Sequence, residues 1–140
     1  ITSTTVNDGT LSIEFVHGVE NPKISAIEIH QGKSTGTVTS PSQGSGAGPS
    51  ININCGSNLS FQDSKGELWI PDKYFNTGLA EPLAAGDISG TQDDQLFRSG
   101  RYDVILGAPL IYRIPVSNNG DYIVSLLFAE TYRPAMQVGA

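Results

Sequence analysis

Carboxylates, histidines and one cysteine are the side chains of this sequence that could do catalytic chemistry, and none has the spacing for it. A glycosidase needs two carboxyl groups at a fixed separation across the sugar, whereas Asp93 and Asp94 are adjacent and would point in opposite directions along an extended chain. His17 and His30 match neither a nucleophile motif nor a metal-ligand spacing. Cys55 is most simply a small buried apolar residue. We therefore predict no enzymatic activity, no cofactor and no metal site.

The overall charge and hydropathy remove two further classes of partner. The 140 residues carry 14 acidic and 8 basic side chains, a net charge of -6, and a nucleic acid requires a basic surface. The longest apolar run, 123–129, has the length of a strand and not of a membrane helix. The glycines of 44–48 precede no helix and so form no phosphate-binding loop. We expect neither nucleic-acid binding nor membrane insertion.

The elements that must position any site are strands. Polar and apolar residues alternate along 10–16, 23–30 and 50–56, which is typical of half-buried strands. The alternation changes phase within 23–30, which indicates a bulge or a strand with two apolar sides. Strand patterns at 110–116 and 121–128 flank an Asn-Asn-Gly turn and predict a hairpin.

No capped helical pattern is present, so we predict an all-β fold, an antiparallel β-sandwich. Tyr112, Tyr122 and Trp69 fall within strand patterns and are expected to pack in the sheets.

Composition divides the chain into three blocks. Residues 1–31 and 51–140 are rich in strands, whereas 32–50 consists largely of Gly, Ser, Thr and Pro. Such a composition cannot bury a core and predicts a flexible linker with a span of roughly 24 Å.

Both strand-rich blocks contain motifs that resemble one family, the malectin-like carbohydrate-binding domains. The most specific motif is GDYIVSLLFAETY at 120–132, which resembles the first half of such a domain. The other motifs of that half are INCG at 53–56, LWIPDKYF at 68–75, ISGTQDDQLFRSGRY at 88–102 and YRIPV at 112–116. The motifs GTLSIEFV at 9–16 and ENPKISAIEI at 20–29 resemble the last quarter of the domain. The end of a domain therefore precedes a beginning, and the family's middle portion is missing.

The resemblance implies a fold, a function and a binding site. The fold is a jelly-roll, galactose-binding-like β-sandwich, and the function is noncatalytic carbohydrate binding. The motifs place the binding residues at Tyr74, Tyr102, Tyr132 and Glu20. An aromatic ring stacks on the apolar face of a sugar and a carboxylate accepts bonds from its hydroxyls. Arg133 follows where animal members have a second aromatic residue, and Glu20 stands where Asp is usual. As alternatives, Tyr74 and Tyr102 are half-buried loop anchors and Glu20 is a solvated turn residue.

Two organisations explain the inverted order. In one, the chain spans the end of one tandem repeat and the start of the next; in the other, the two blocks form one permuted sandwich, incomplete or completed by a neighbouring chain or repeat. Both leave sheet edges that favour association with adjacent repeats or with copies of the same chain. The alternative function is therefore a structural subunit of a surface filament assembled by strand sharing. A third possibility is an accessory module of a hydrolase.

Two local features favour a secreted location. Asn58, in the triplet Asn-Leu-Ser, is an acceptor for N-glycosylation in a predicted loop, and the linker is rich in Ser and Thr. The chain begins at Ile1 with no initiator Met and reads as a piece of a longer protein. We predict an extracellular or cell-surface glycoprotein.

Overall fold

The computed structural model describes residues 1–32, 50–104 and 107–131. Within these ranges the chain forms eleven strands and one short helix. In chain order they are β1 (Thr2–Val6), β2 (Thr10–Phe15), β3 (Lys23–Ile24), β4 (Ala26–Gln31), β5 (Ile51–Asn54), β6 (Phe61–Gln62), β7 (Leu68–Pro71), β8 (Leu79–Ala80), α1 (Asp94–Phe97), β9 (Arg101–Tyr102), β10 (Leu110–Pro115) and β11 (Gly120–Leu127).

The strands form one large sheet and two small ones. The large sheet has the order β1-β11-β4-β5-β7-β6, and the small ones pair β10 with β2 and β9 with both β3 and β8. All pairs are antiparallel except β5 with β7. The predicted all-β sandwich is confirmed, and none of the described helices is long and apolar enough to cross a membrane.

The first and third blocks of the chain share these sheets. Strand β4 lies between β11 and β5, and β2 pairs with β10, so each block supplies neighbours to the other. Ile29 lies opposite Ile51, so the strand ends that the 32–50 segment joins are neighbours. Almost all of that segment, the predicted linker, lies outside the described residues.

The phase change within 23–30 marks a crossing between sheets. Strand β3 belongs to a small sheet and β4 to the large one, and Ser25 stands between them. The Ser25 amide donates to the Leu127 carbonyl at 3.0 Å, and its own carbonyl accepts from the Cys55 amide at 3.0 Å. One continuous apolar segment therefore contributes to both layers of the sandwich.

The predicted hairpin of 110–116 with 121–128 is wrong. Strand β10 pairs with β2, whereas β11 pairs with β1 and β4 in the other sheet. The Asn-Asn-Gly turn forms a corner between layers, and the Asn119 side chain joins it to a second corner. Asn119 accepts from the Gly9 amide at 2.9 Å and donates to the Asn7 carbonyl at 2.8 Å. Turn residues bend the chain equally well at a hairpin and at such a corner, so the sequence pattern alone could not distinguish them.

The core fills the space between the layers. Trp69, Tyr112 and Tyr122 are buried, as their strand positions predict. Tyr112 and Tyr122 belong to the main cluster, which also contains Leu11, Ile24, Ile27, Ile29, Ile53, Cys55, Leu110, Ile114 and Val124. A smaller cluster of Ala26, Trp69 and Leu96 lies beside it.

Candidate functional site

Tyr102 lies at the centre of the three-stranded sheet. It is half-buried on β9, with Lys23 of β3 and Leu79 of β8 as its register partners. Directly opposed residues of antiparallel strands project from the same face. The three side chains therefore share one face of this small sheet.

The loop that carries Glu20 ends beside Tyr102. The Pro22 carbonyl accepts from the Asp103 amide at 3.0 Å, which fixes the loop end against the strand. Glu20 itself is exposed. Glu20 lies two residues before Pro22 on this loop, and its side chain is open to solvent.

Lys23 is the centre of a polar cluster that the sequence did not predict, and which we term the rim cluster. The Lys23 ammonium lies 2.8 Å from Glu81 Oε2 and donates to Thr131 Oγ1 at 2.6 Å. The Thr131 hydroxyl donates to Glu81 Oε2 at 3.1 Å. The side chains of Lys23 and Glu81 are 18% and 19% exposed, so water still reaches the cluster.

The rim cluster connects three of the segments that carry predicted binding residues. Thr131 is the residue before Tyr132, and Lys23 follows the Glu20 loop and opposes Tyr102. Tyr132 lies outside the described residues. The described contacts therefore bring together the Glu20 loop, Tyr102 and the chain that leads into Tyr132.

Tyr74 occupies a different neighbourhood. Its carbonyl accepts from the Arg113 amide at 2.9 Å, beside β10, and its half-buried ring packs against the main core. The Lys73 ammonium lies 4.5 Å from the ring centroid. The backbone φ of Tyr74, 72°, is unusual for a residue other than glycine, and this conformation costs about 1–3 kcal/mol of free energy. Such strain is most often found at functional positions.

A second polar cluster, here the buried cluster, holds the residue before Tyr102. Arg101 Nε donates to Asp72 Oδ2 at 2.7 Å, and their side chains are only 10% and 4% exposed. Asp72 also accepts from the Gly56 amide at 2.7 Å and from the Tyr112 hydroxyl at 2.8 Å. The Arg101 guanidinium stacks on the Phe75 ring at 3.4 Å. These contacts lock β9 in place.

Two acidic groups at the buried cluster, the Tyr112 phenol and the Cys55 thiol, have raised pKa values. Desolvation raises the pKa of the Tyr112 phenol far above its usual range, and the nearby Cys55 and Asp72 raise it further. Desolvation also raises the pKa of the Cys55 thiol well above its usual range. Both groups stay protonated at physiological pH, so neither supplies a nucleophilic anion.

The predicted glycosylation position lies apart from both clusters in the sequence, after β5. Asn58 is exposed in the turn that follows β5, so its side chain is accessible to modification. Among the described residues, no group of three or more His, Cys, Asp or Glu side chains is placed to hold a metal ion. Sequence reasoning missed Lys23 and Glu81, although Lys23 stands in the quoted Glu-Asn-Pro-Lys motif.

The fold is an all-β sandwich, and the comparisons identify the family. The family model for the Malectin domain matches residues 50–139, well over half of the chain. The chain therefore belongs to the malectin family of carbohydrate-binding domains, and the resemblance of the third block is confirmed. Searches of curated proteins and of solved structures found no match.

Proposed function

We propose that this chain is a noncatalytic carbohydrate-binding module whose site lies around the rim cluster. The observation that carries this proposal is the position of Lys23, which opposes Tyr102 and donates to Thr131, the residue before Tyr132. The Glu20 loop, Tyr102 and the chain that leads to Tyr132 thereby meet at a partly exposed surface. A sugar needs both an apolar platform and charged hydrogen-bonding groups at such a place.

Each group has a role in this proposal. The Tyr102 ring supplies the stacking platform, and Glu20 and Glu81 accept hydrogen bonds from sugar hydroxyls. Lys23 orients Glu81 and the entrance to Tyr132 and donates to sugar oxygens. Tyr74, whose ring packs against the main core beside β10, is not part of the proposed site. No bond is made or broken.

Calorimetric titration with a panel of neutral and acidic oligosaccharides tests the proposal. We expect Tyr102→Ala and Glu20→Gln each to weaken binding about tenfold, the loss of one good polar or stacking contact. Phe61→Ala, at the far edge of the large sheet, and Glu67→Gln, an exposed turn carboxylate, are the matched controls. Equal affinity in all four variants would contradict the proposal.

The order of the blocks leads to a proposal about organisation. We infer one permuted unit in which residues 1–31 provide the family's last strands, 32–50 is the linker and 51–140 provides its first strands. The pairing of β4 with β5 and β11 supports it, as does the short distance that the linker must bridge. Proteolytic cleavage within 32–50 should leave the two fragments associated. Their separation on a sizing column without denaturant would contradict the inference.

A filament subunit is the second candidate function, and β1 favours it. This strand forms one edge of the six-stranded sheet, and its residues Thr2–Thr5 are exposed and uncharged. Edges without Lys, Pro or charge readily add another strand. Sedimentation analysis should then show association that Thr4→Lys abolishes; a monomer at all concentrations would exclude this role for the chain.

Secretion, expected of a malectin module, is tested by glycosidase treatment of secreted protein and its Asn58→Gln variant.

A further inference from the structure

An open cleft is lined in part by the segment that leads to Tyr132. Its volume is about 460 Å³, and it is lined by the 87–91 loop, Phe97 and residues 128–130. Of the predicted binding residues that the structure describes, Glu20, Tyr74 and Tyr102 do not line it. Its lining combines apolar rings with the hydroxyls of Ser89 and Thr91.

Phe128 is the most exposed aromatic ring of the cleft. Its side chain is 59% exposed, although it directly follows Leu127, which packs against the smaller core cluster. An exposed phenyl ring offers a flat apolar face on which a sugar ring can stack. Phe97 on the other wall is anchored by packing against the same cluster.

The loop that closes the cleft is held firmly. Arg98 Nε donates to the Gly86 carbonyl at 2.9 Å, and the Ala84 amide donates to the Arg98 carbonyl at 2.9 Å. The Asp93 amide donates to the Thr91 hydroxyl at 2.9 Å, and the Asp93 carboxylate accepts from Ser64. The cleft is therefore formed before any ligand arrives, which reduces the entropic cost of binding.

The cleft and the rim cluster lie on one short stretch of chain. Phe128 lines the cleft and Thr131 belongs to the rim cluster, and three residues span at most about 10 Å. One oligosaccharide can therefore occupy both. We propose that the cleft is a second sugar subsite, which binds a further pyranose unit of the same glycan by stacking on Phe128. This proposal rests on the carbohydrate-binding function proposed above.

The test compares short and long sugars on the complete 140-residue chain. Malto- and cello-oligosaccharides of two and six units are titrated by calorimetry. We expect the six-unit sugar of the preferred linkage to bind about three- to tenfold more tightly than the two-unit sugar, as one additional aromatic contact provides. Phe128→Ala should remove that gain and leave two-unit binding unchanged. Phe128→Tyr should retain it.

The controls separate this proposal from the one it rests on. Leu59→Ala removes a side chain of similar exposure, 62%, and should change nothing. Tyr102→Ala should weaken both sugars. If both lengths bind equally, or if Phe128→Ala keeps the gain, the subsite is wrong and the proposed function stands. If the unmodified chain binds neither length in either linkage, both proposals fail for glucose polymers.

Discussion

The buried and rim clusters hold consecutive residues of β9, and they differ in how much water reaches them. Arg101 and Tyr102 point to opposite faces of the strand. On one face Arg101 and Asp72 are nearly inaccessible, and every polar atom of the Asp72 carboxylate has a fixed donor. On the other face Lys23 and Glu81 are about one-fifth exposed. One face therefore fixes the strand, and the other keeps polar groups that a ligand can reach.

This comparison predicts the largest loss of stability in the buried cluster. Asp72→Asn removes the charge that balances Arg101, and an uncompensated buried charge costs about 3–5 kcal/mol. Urea unfolding measures the loss. The control is Asp87→Asn, whose side chain is 99% exposed and should leave the free energy of unfolding unchanged. Equal stability of the two variants would show that the Asp72–Arg101 pair is not what holds β9.

The glycine that donates to Asp72 gives a second, slightly smaller effect. A Cβ on Gly56 would lie 2.0 Å from the Gly100 carbonyl oxygen, whereas one on Gly66 would meet nothing. Both residues have positive φ, so Gly66→Ala isolates the conformational cost of about 1 kcal/mol. We expect Gly56→Ala to cost about 1–3 kcal/mol more because of the overlap. Thermal unfolding of the two variants measures the difference. Equal melting temperatures of Gly56→Ala and Gly66→Ala would disprove the close approach of Gly56 to the Gly100 carbonyl.

The rim cluster should matter for binding as well as for stability. Lys23→Met retains the apolar stem and removes the donor to Thr131 and Glu81, a loss of about 1–2 kcal/mol for partly exposed charged hydrogen bonds. Oligosaccharide affinity should fall about tenfold. Lys65→Met, at an exposed turn, should alter neither quantity. Normal sugar affinity of the Lys23→Met variant would show that the rim cluster is not part of the binding site.

A turn at the far edge of the large sheet supplies the smallest predicted effect and a pH dependence. Asp63 is partly desolvated, which acts to raise its pKa, but Trp69 Nε1 and the Glu67 and Lys65 amides donate to it and lower the pKa below 3.8. A lowered folded-state pKa stabilises the fold above the ordinary pKa, and that contribution is lost as the pH falls through the lowered value. Asp63→Asn should cost roughly 1 kcal/mol at pH 6.

Thermal unfolding across pH 2–6 measures this dependence. The difference between Asp63→Asn and the unmodified chain should shrink as the pH falls through the lowered pKa of Asp63. A constant difference over that range would mean that the carboxylate charge has no part in it.

The fold could be predicted where it depends on local alternation. The strand patterns located β2, β3, β4, β5, β10 and β11, and even the phase change within 23–30 pointed to the irregularity at Ser25. Strand partners could not be read in the same way, because β10 and β11 have a hairpin-like turn and yet join different layers. Pairing depends on long-range packing of both apolar faces, which a turn motif does not encode.

The site was predictable only as a set of motifs. The quoted motifs contained Asp72, Arg101 and Lys23, but nothing in their spacing indicated that Lys23 meets Thr131, 108 residues later. Glu81 stands outside every quoted motif. Such contacts follow from the crossing of β3 into the small sheet, which no local pattern reveals.

Chemical-shift mapping of the amide signals tests the central claim most directly, that the segments around the rim cluster form one carbohydrate site. During titration with a bound oligosaccharide, the amides of Lys23, Glu81, Tyr102 and Thr131 should shift together, with one common dissociation constant. Those of Gly56 and Asp72 in the buried cluster should move little. Shifts confined to other parts of the chain, or different dissociation constants within the rim cluster, would contradict the account.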